Sequence, residues 1–174
     1  VEGLRALARI PKAGAAELAL TTAYRPLDKY SEYALWLTIN DLVHPWLAAV
    51  KSGEWKTNGR EKQLEFALRS IAPALASEIL GQLLGDQPLA RDGSGPWIDL
   101  IGQAGTATEL RRLFDQVLGQ GFADGATARA LGALNQAARL RNVRPGGDLT
   151  GVGGLLQSTA EPVKIEAVRL VGAW

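Results

Sequence analysis

The chain has 174 residues, a formal net charge of +1, no cysteine and one histidine. Without cysteine, this stretch can hold no disulfide, thiolate-ligated zinc, iron–sulfur cluster or covalently attached c-type haem, and one histidine cannot form a histidine metal cluster. The balanced charge favours neither a nucleic-acid partner nor an anionic membrane. Alanine and leucine together supply about 30% of the residues, a composition that favours helices.

Helix boundaries can be located from prolines, glycines and capping residues. Proline is favoured at the first position of a helix, and four prolines precede stretches with helical apolar periodicity: Pro45, Pro73, Pro96 and Pro162. Thr106 with Glu109 has the spacing of a capping box. No stretch alternates in the manner of a strand, so we expect no sheet. The predicted helices lie near residues 2–10, 12–23, 27–42, 45–52, 60–71, 73–84, 96–104, 107–119, 124–141, 148–158 and 162–173.

Short helices joined by short turns indicate helical hairpins, and weak internal similarity supports a repeat. Residues 1–7 align with residues 165–171, and looser copies occur at intervals of roughly 40 residues, within the range of HEAT and armadillo repeats. One hairpin cannot bury its apolar face alone, whereas stacked hairpins share a continuous core. We predict an all-α fold, a right-handed α–α superhelix of about five hairpins forming one domain over residues 1–174. The alternative is an irregular helical bundle.

The first and last predicted helices carry apolar stripes without polar capping repeats. We therefore expect the segment to belong to a longer multidomain chain. The side chains of Leu4, Leu7, Val168 and Val171 should then be partly exposed, or covered by another copy in a self-associated form.

Residues that could support catalysis are few. His44 precedes Pro45 at an expected helix entry, and Ser94 lacks the G-x-S-x-G spacing of a nucleophile elbow. The glycines of residues 146–154 lack the lysine of a phosphate-binding loop, and Asp92 lacks the alternating ligands of a calcium loop. We predict no catalytic, metal-binding or cofactor-binding residue in this chain, and no cofactor.

Aromatic residues are concentrated in the helix expected near residues 27–42. Tyr30 and Leu37 follow one helical spacing with Ala34, while other apolar residues follow a second, which is typical of a helix buried between neighbours. We predict that Tyr30, Ala34 and Leu37 are buried and that Tyr33, Trp36 and Trp46 also belong to the core. The alternative is an aromatic cage for a ligand.

Two groups of residues could form a partner surface. The polar loops 51–60 and 84–97 each contain a tryptophan, Trp55 and Trp97, and tryptophan and arginine are common interface anchors. Alternatively, each tryptophan folds back over its own repeat. The second group is the basic cluster Arg139, Arg141 and Arg144, for which a solvated face or contacts to helix C-terminal carbonyls are the alternatives.

Residues 25–42, followed by Pro45, Trp46 and Gly53, resemble the HEAT-repeat region of multidomain proteins of planctomycetes and their relatives that are described as membrane-bound dehydrogenases. The resemblance is best over residues 1–84. It implies a propeller domain resembling sugar dehydrogenases, then helical repeats, then a c-type cytochrome module, in an exported or periplasmic protein. This chain would be the helical connector.

We accordingly predict a helical-repeat scaffold or protein-interaction module that is not itself an enzyme. Its partners would be other domains of the same parent chain or another protein, without nucleic acid and without membrane insertion by this segment. The alternative is a non-autonomous part of an oxidoreductase, whose loops help to line a redox site formed by other domains. A polar pocket around His44, Asp92 or Asp99 would favour that alternative.

Overall fold

The computed structural model describes all 174 residues, and every regular element in it is helical. None of its helices is both long enough and apolar enough to span a bilayer. The all-α prediction is confirmed, whereas the HEAT-like superhelix stays a prediction. The helices are α1 Glu2–Leu7, α2 Ala13–Leu20, a 3-10 turn Thr21–Tyr24, α3 Lys29–Ser52, α4 Glu61–Ser70, α5 Pro73–Leu84, α6 Trp97–Ala104, α7 Ala107–Leu118, α8 Asp124–Arg141, α9 Val152–Leu155 and α10 Glu161–Ala173.

The largest departure from the predicted boundaries is at Pro45, which lies inside α3 rather than at the start of a new helix. Proline removes the N–H that would bond the Asp41 carbonyl, and this normally ends or kinks a helix. Here Leu42 and Trp46 on either side are both fully buried. Their burial favours a continuous helix, and tertiary packing therefore outweighs the local signal. The helix predicted at 148–158 is also shorter, because α9 spans only four residues.

The chain divides into two compact units, Val1–Leu83 and Leu84–Trp174. Each repeat of an array contacts only its neighbours, so this division leaves the predicted single repeat domain untested. In the first unit, α3 packs against α1, α2 and α4. The side chains at the centre of this packing are fully buried: Leu20, Leu35, Ile39, Trp46 and Leu64. Buried Thr38 joins α1 to α3, because its Oγ1 lies 3.1 Å from the Leu4 carbonyl oxygen.

In the second unit, α8 packs against α6, α7 and α10. The approach of α6 to α8 requires a glycine, since a Cβ at Gly102 would lie 2.8 Å from the Cβ of Ala133. The capping box predicted at the start of α7 is confirmed: the Thr106 hydroxyl accepts the Thr108 N–H, and Glu109 Oε2 accepts the Thr106 N–H at 2.7 Å. The apolar core includes Ile98, Ile101, Leu113, Phe114, Leu131, Leu134 and Leu170.

Arginine side chains hold the loops of the second unit by donating to backbone carbonyls. Arg129 Nη1 donates to the Gly93 carbonyl at 2.8 Å, and Arg129 also pairs with Asp99. Arg112 Nη1 donates to the Gly85 carbonyl at 2.6 Å. A guanidinium group is suited to this role because it presents several donors in a fixed plane.

The terminal helices match the expected exposure only in part. Leu4 is buried and Leu7 is half-buried, so the apolar side chains of α1 are largely covered within the first unit. On α10, Val168 and Val171 are exposed, as is Ile165. Self-association through these side chains stays a prediction.

Candidate functional site: an aromatic groove along α3 and α4

Three aromatic side chains project from one face of α3 into solvent. Tyr30 is 66% exposed, Tyr33 61% and Trp36 41%. Residues three apart on a helix share a face, so these side chains form a continuous row over the first two turns. The prediction that Tyr30, Tyr33 and Trp36 belong to the core is therefore wrong.

The error has a physical reason. α3 is buried on the face that includes Ala34, Leu35 and Thr38, because that face meets α1 and α2. Ala34 is buried as predicted, but Leu37 is only half-buried and Tyr30 points away from the packing. The spacing of Tyr30, Ala34 and Leu37 predicts a second buried face on α3. In the structure Tyr30 is exposed and Leu37 is only half-buried, so that side of the helix is open to solvent.

Tyr33 and Trp36 of this row line one wall of a groove whose other wall comes from α4. The cavity between them measures about 310 Å³. We call this cavity the aromatic groove, and its lining residues are Lys29, Glu32, Tyr33, Trp36, Phe66, Arg69 and Ser70. A second cavity of about 330 Å³ shares Glu32, Phe66 and Arg69 with it and adds Arg25 and Lys62 to the lining, so the two are continuous.

Hydrogen bonds fix the two walls against each other. Asn40 Nδ2 donates to the Trp36 carbonyl at 2.8 Å and to the Ser70 carbonyl at 2.9 Å. Asn40 thereby connects Ser70, the last residue of α4, to the backbone of α3 at Trp36. The Ser70 hydroxyl is also engaged, since it donates to the Phe66 carbonyl at 2.7 Å. The groove is consequently formed by two helices in fixed register rather than by loops.

The start of α3 fixes the direction of the aromatic row. Asp28 caps the helix, and its Oδ1 accepts the N–H of Ser31 at 2.7 Å and that of Tyr30 at 3.0 Å. These hydrogen bonds, above all the one from Ser31, lower the pKa of Asp28 below its ordinary value of 3.8. The carboxylate is thus ionised at neutral pH, where it also favours the positive N-terminal end of the helix dipole.

Two of the aromatic rings are packed face to face. The Tyr33 and Trp36 ring centroids lie 5.9 Å apart with an interplanar angle of 11°. Offset stacking of this kind is favourable, and it holds both rings in one orientation while leaving them exposed. The Tyr33 hydroxyl and the Trp36 indole N–H make no hydrogen bond within the chain, so both donors are available to a ligand.

The charged groups around the groove are predominantly cationic. Glu65 lies 3.7 Å from Arg69, so these two charges offset each other. Lys29 Nζ lies 4.9 Å from the centre of the Tyr30 ring, a cation–π contact. Arg25, Lys29 and Lys62 make no ion pair, and Glu32 is the one carboxylate of the lining without a cationic partner. The groove therefore presents a net positive potential beside its aromatic wall.

The loop tryptophans do not form this site. Trp55 is 3% exposed and lies edge-on against Trp46 at 5.3 Å between ring centroids. The expectation of an accessible anchor at Trp55 is wrong, because the loop folds back and the ring completes the core of its own unit, with Arg60 over its face. Trp97 begins α6, is half-buried and lies against Gly95.

The basic cluster is also divided among different environments. Arg141 is half-buried, and its Nη2 donates to the Gly102 and Gly105 carbonyls at 2.9 and 2.8 Å. Arg144 donates to the carbonyls of Ala173 and Trp174 at the end of α10. Both therefore bind helix C-terminal carbonyls, the alternative weighed from the sequence, while a partner surface at the exposed Arg139 and Arg144 stays a prediction. Arg139 alone remains exposed and unpaired.

The residues considered for catalysis are dispersed. His44 is exposed on α3. Asp92 accepts the Ser94 N–H at 2.9 Å in a local turn, and Asp99 accepts from Arg129. No group of three or more His, Asp or Glu side chains is arranged to hold a metal ion. The glycine-rich segment forms a turn and the short helix α9.

Comparison with protein-family models, with curated proteins and with solved structures finds no match for this chain.

Proposed function

We propose that the chain is a helical scaffold that binds a segment of another protein domain in the aromatic groove. The observation that carries this proposal is the exposed row Tyr30, Tyr33 and Trp36 beside a cavity between two helices in fixed register. Tyrosine, tryptophan and arginine are the side chains that supply most of the binding energy at protein interfaces. An exposed row of three aromatic side chains is otherwise unfavourable in water.

The shape of the groove favours a protein segment over an enclosed small molecule. Small-molecule sites bury most of their ligand within a concave pocket. Here Tyr33 and Trp36 each keep about half of their surface open to solvent. A ligand in this groove would be contacted on one side only, which suits an extended stretch of polypeptide lying along α3.

The wider setting of this interaction follows the resemblance to the HEAT-repeat region of the planctomycete dehydrogenases. We propose that the helices stack as HEAT-like hairpins, that the parent is an exported multidomain dehydrogenase, and that the groove receives a segment of another of its domains or of a separate protein. The alternative of a redox-site lining has less support, because His44 is exposed alone and Asp92 and Asp99 are engaged in local hydrogen bonds.

A selection experiment tests the proposal even though the partner is unidentified. A displayed library of random twelve-residue peptides is selected against the full chain and counter-selected against Trp36→Ala. We expect enriched peptides that lose binding to Trp36→Ala and retain it with Leu140→Ala, a matched change at an exposed apolar side chain of α8. Failure to enrich any Trp36-dependent peptide would refute binding of protein segments at this site.

A further inference from the structure

Resting on the proposed function, we propose that the occupant of the aromatic groove is an extended, acidic, proline-containing polypeptide segment. Three features of the lining carry this inference independently of one another: its unpaired charges, its aromatic wall and its exposed donors.

The unpaired charges of the lining determine which sign of charge the partner should carry. Arg25, Lys29 and Lys62 border the two continuous cavities and have no anionic partner within the chain. Glu65 is engaged with Arg69, which leaves Glu32 as the one opposing charge. Complementary charge raises association rates and disfavours wrong partners. An acidic segment is therefore favoured over a basic one, and a second copy of the same positive groove is disfavoured.

The rings select the type of side chain and the conformation of the segment. Tyr33 and Trp36 are stacked within 11° of parallel, and both line the cavity, so the groove has an ordered aromatic wall. Proline-rich segments dock in aromatic-lined grooves, because the polyproline II conformation is already extended and loses little entropy on binding. Asn40 and the Asp28 cap keep this wall ordered before any partner arrives.

The exposed donors of Tyr33 and Trp36 favour a partner whose backbone carbonyls are free to accept hydrogen bonds. The Trp36 indole N–H and the Tyr33 hydroxyl have no acceptor in the chain. A polyproline II segment makes no internal hydrogen bonds and leaves its carbonyl oxygens free to accept. These two donors therefore match the carbonyls of an extended segment, whereas a helix pairs all but its last four carbonyls internally.

A single-stranded nucleic acid is the competing occupant, since it also combines negative charge with stacking. The groove is less suited to it. Tyr33 and Trp36 are stacked on each other, which leaves no slot for a base between them.

The test measures fluorescence anisotropy of labelled probes with the full chain at two salt concentrations. The probes are a twelve-residue peptide of proline with Asp and Glu, the same peptide with Lys in place of the acids, its alanine-substituted counterpart without proline, and a dodecamer of deoxythymidine. We expect the acidic proline peptide to bind at least about tenfold more tightly than the others, with affinity falling as salt rises.

Matched variants connect this binding to the groove. Trp36→Ala should weaken it by about tenfold or more, as expected of a central aromatic contact. Lys29→Glu combined with Lys62→Glu should weaken binding and reverse its salt dependence, because the lining then carries more carboxylates than cations, whereas Arg139→Glu, an exposed and unpaired control in the second unit, should leave binding unchanged. Circular dichroism of each variant checks that the helices are retained.

The outcomes separate this inference from the proposed function. Preference for the basic peptide, the proline-free peptide or the oligonucleotide would overturn the acidic proline-containing occupant. Binding that is unchanged in Trp36→Ala would overturn this inference as well. If no probe binds but the library yields Trp36-dependent peptides of another composition, the occupant is wrong and the protein-binding groove stands. If neither experiment gives Trp36-dependent binding, both are wrong.

Discussion

Truncation of Trp55 gives the sharpest test of how the first unit is held together. The side chain is 3% exposed, meets Trp46 edge-on at 5.3 Å and lies beneath the guanidinium of Arg60 at 5.8 Å. Removing a buried aromatic side chain costs about 3–5 kcal/mol, because the lost contacts leave a cavity that the surroundings fill only partly. Typical domains are stable by about 5–15 kcal/mol, so Trp55→Ala should bring this unit close to unfolding.

Urea unfolding followed by far-ultraviolet circular dichroism measures this loss, because the helical signal does not depend on the removed fluorophore. Trp36→Ala is the matched control. Its side chain is 41% exposed, and we expect a cost of about 1 kcal/mol or less. Iodide should quench Trp36 and leave Trp55 unquenched in the folded chain. A loss below about 1 kcal/mol for Trp55→Ala, or equal losses for the two variants, would refute the assignment of Trp55 to the core.

Three further predictions concern local devices of the fold. Thr106→Ala removes the cap of α7 and should lower the free energy of unfolding by about 0.5–2 kcal/mol, measured by urea unfolding, while Thr108→Ala should have a smaller effect. Arg141→Ala should cost about 1–3 kcal/mol, because it removes the one nitrogen, Nη2, that donates to both the Gly102 and Gly105 carbonyls; an unchanged midpoint would contradict this. Asp28 has a lowered pKa when folded, so its contribution is present above pH 3.8 and is lost as pH falls through the folded value; amide exchange at the first turn of α3 should therefore rise in acid, and Asp28→Asn should remove this dependence.

The fold was predictable where local signals and packing agree. α5, α6, α7 and α8 begin and end within one or two residues of the predicted positions, because prolines, glycines and a capping box mark their ends. Pro45 was misread since its local effect is overridden by burial of Leu42 and Trp46 in one continuous helix. The sequence shows the cost of a proline inside a helix but not the tertiary packing that offsets it.

The candidate site was not predictable for a related reason. Periodicity identifies an apolar face of a helix, but it does not say whether another element covers that face. Tyr30, Tyr33 and Trp36 follow one another at helical spacing, and only the position of α4 shows that Tyr33 and Trp36 border an open groove. Conversely, Trp55 lies in a polar loop, and nothing in its local sequence indicates that the loop folds back onto Trp46.

Trp36 and Trp55 together explain why the exposed row points to binding. The chain buries a loop tryptophan in its core, yet it leaves a tryptophan near the start of its longest helix exposed beside two tyrosines. Around that exposed row the backbone is ordered before any partner arrives: Asp28 caps the helix, Asn40 ties α4 beneath Trp36, and the Tyr33 ring stacks on the Trp36 ring. Preordered aromatic side chains lose little entropy on binding. A partner would therefore gain contact area on this face without first having to order it.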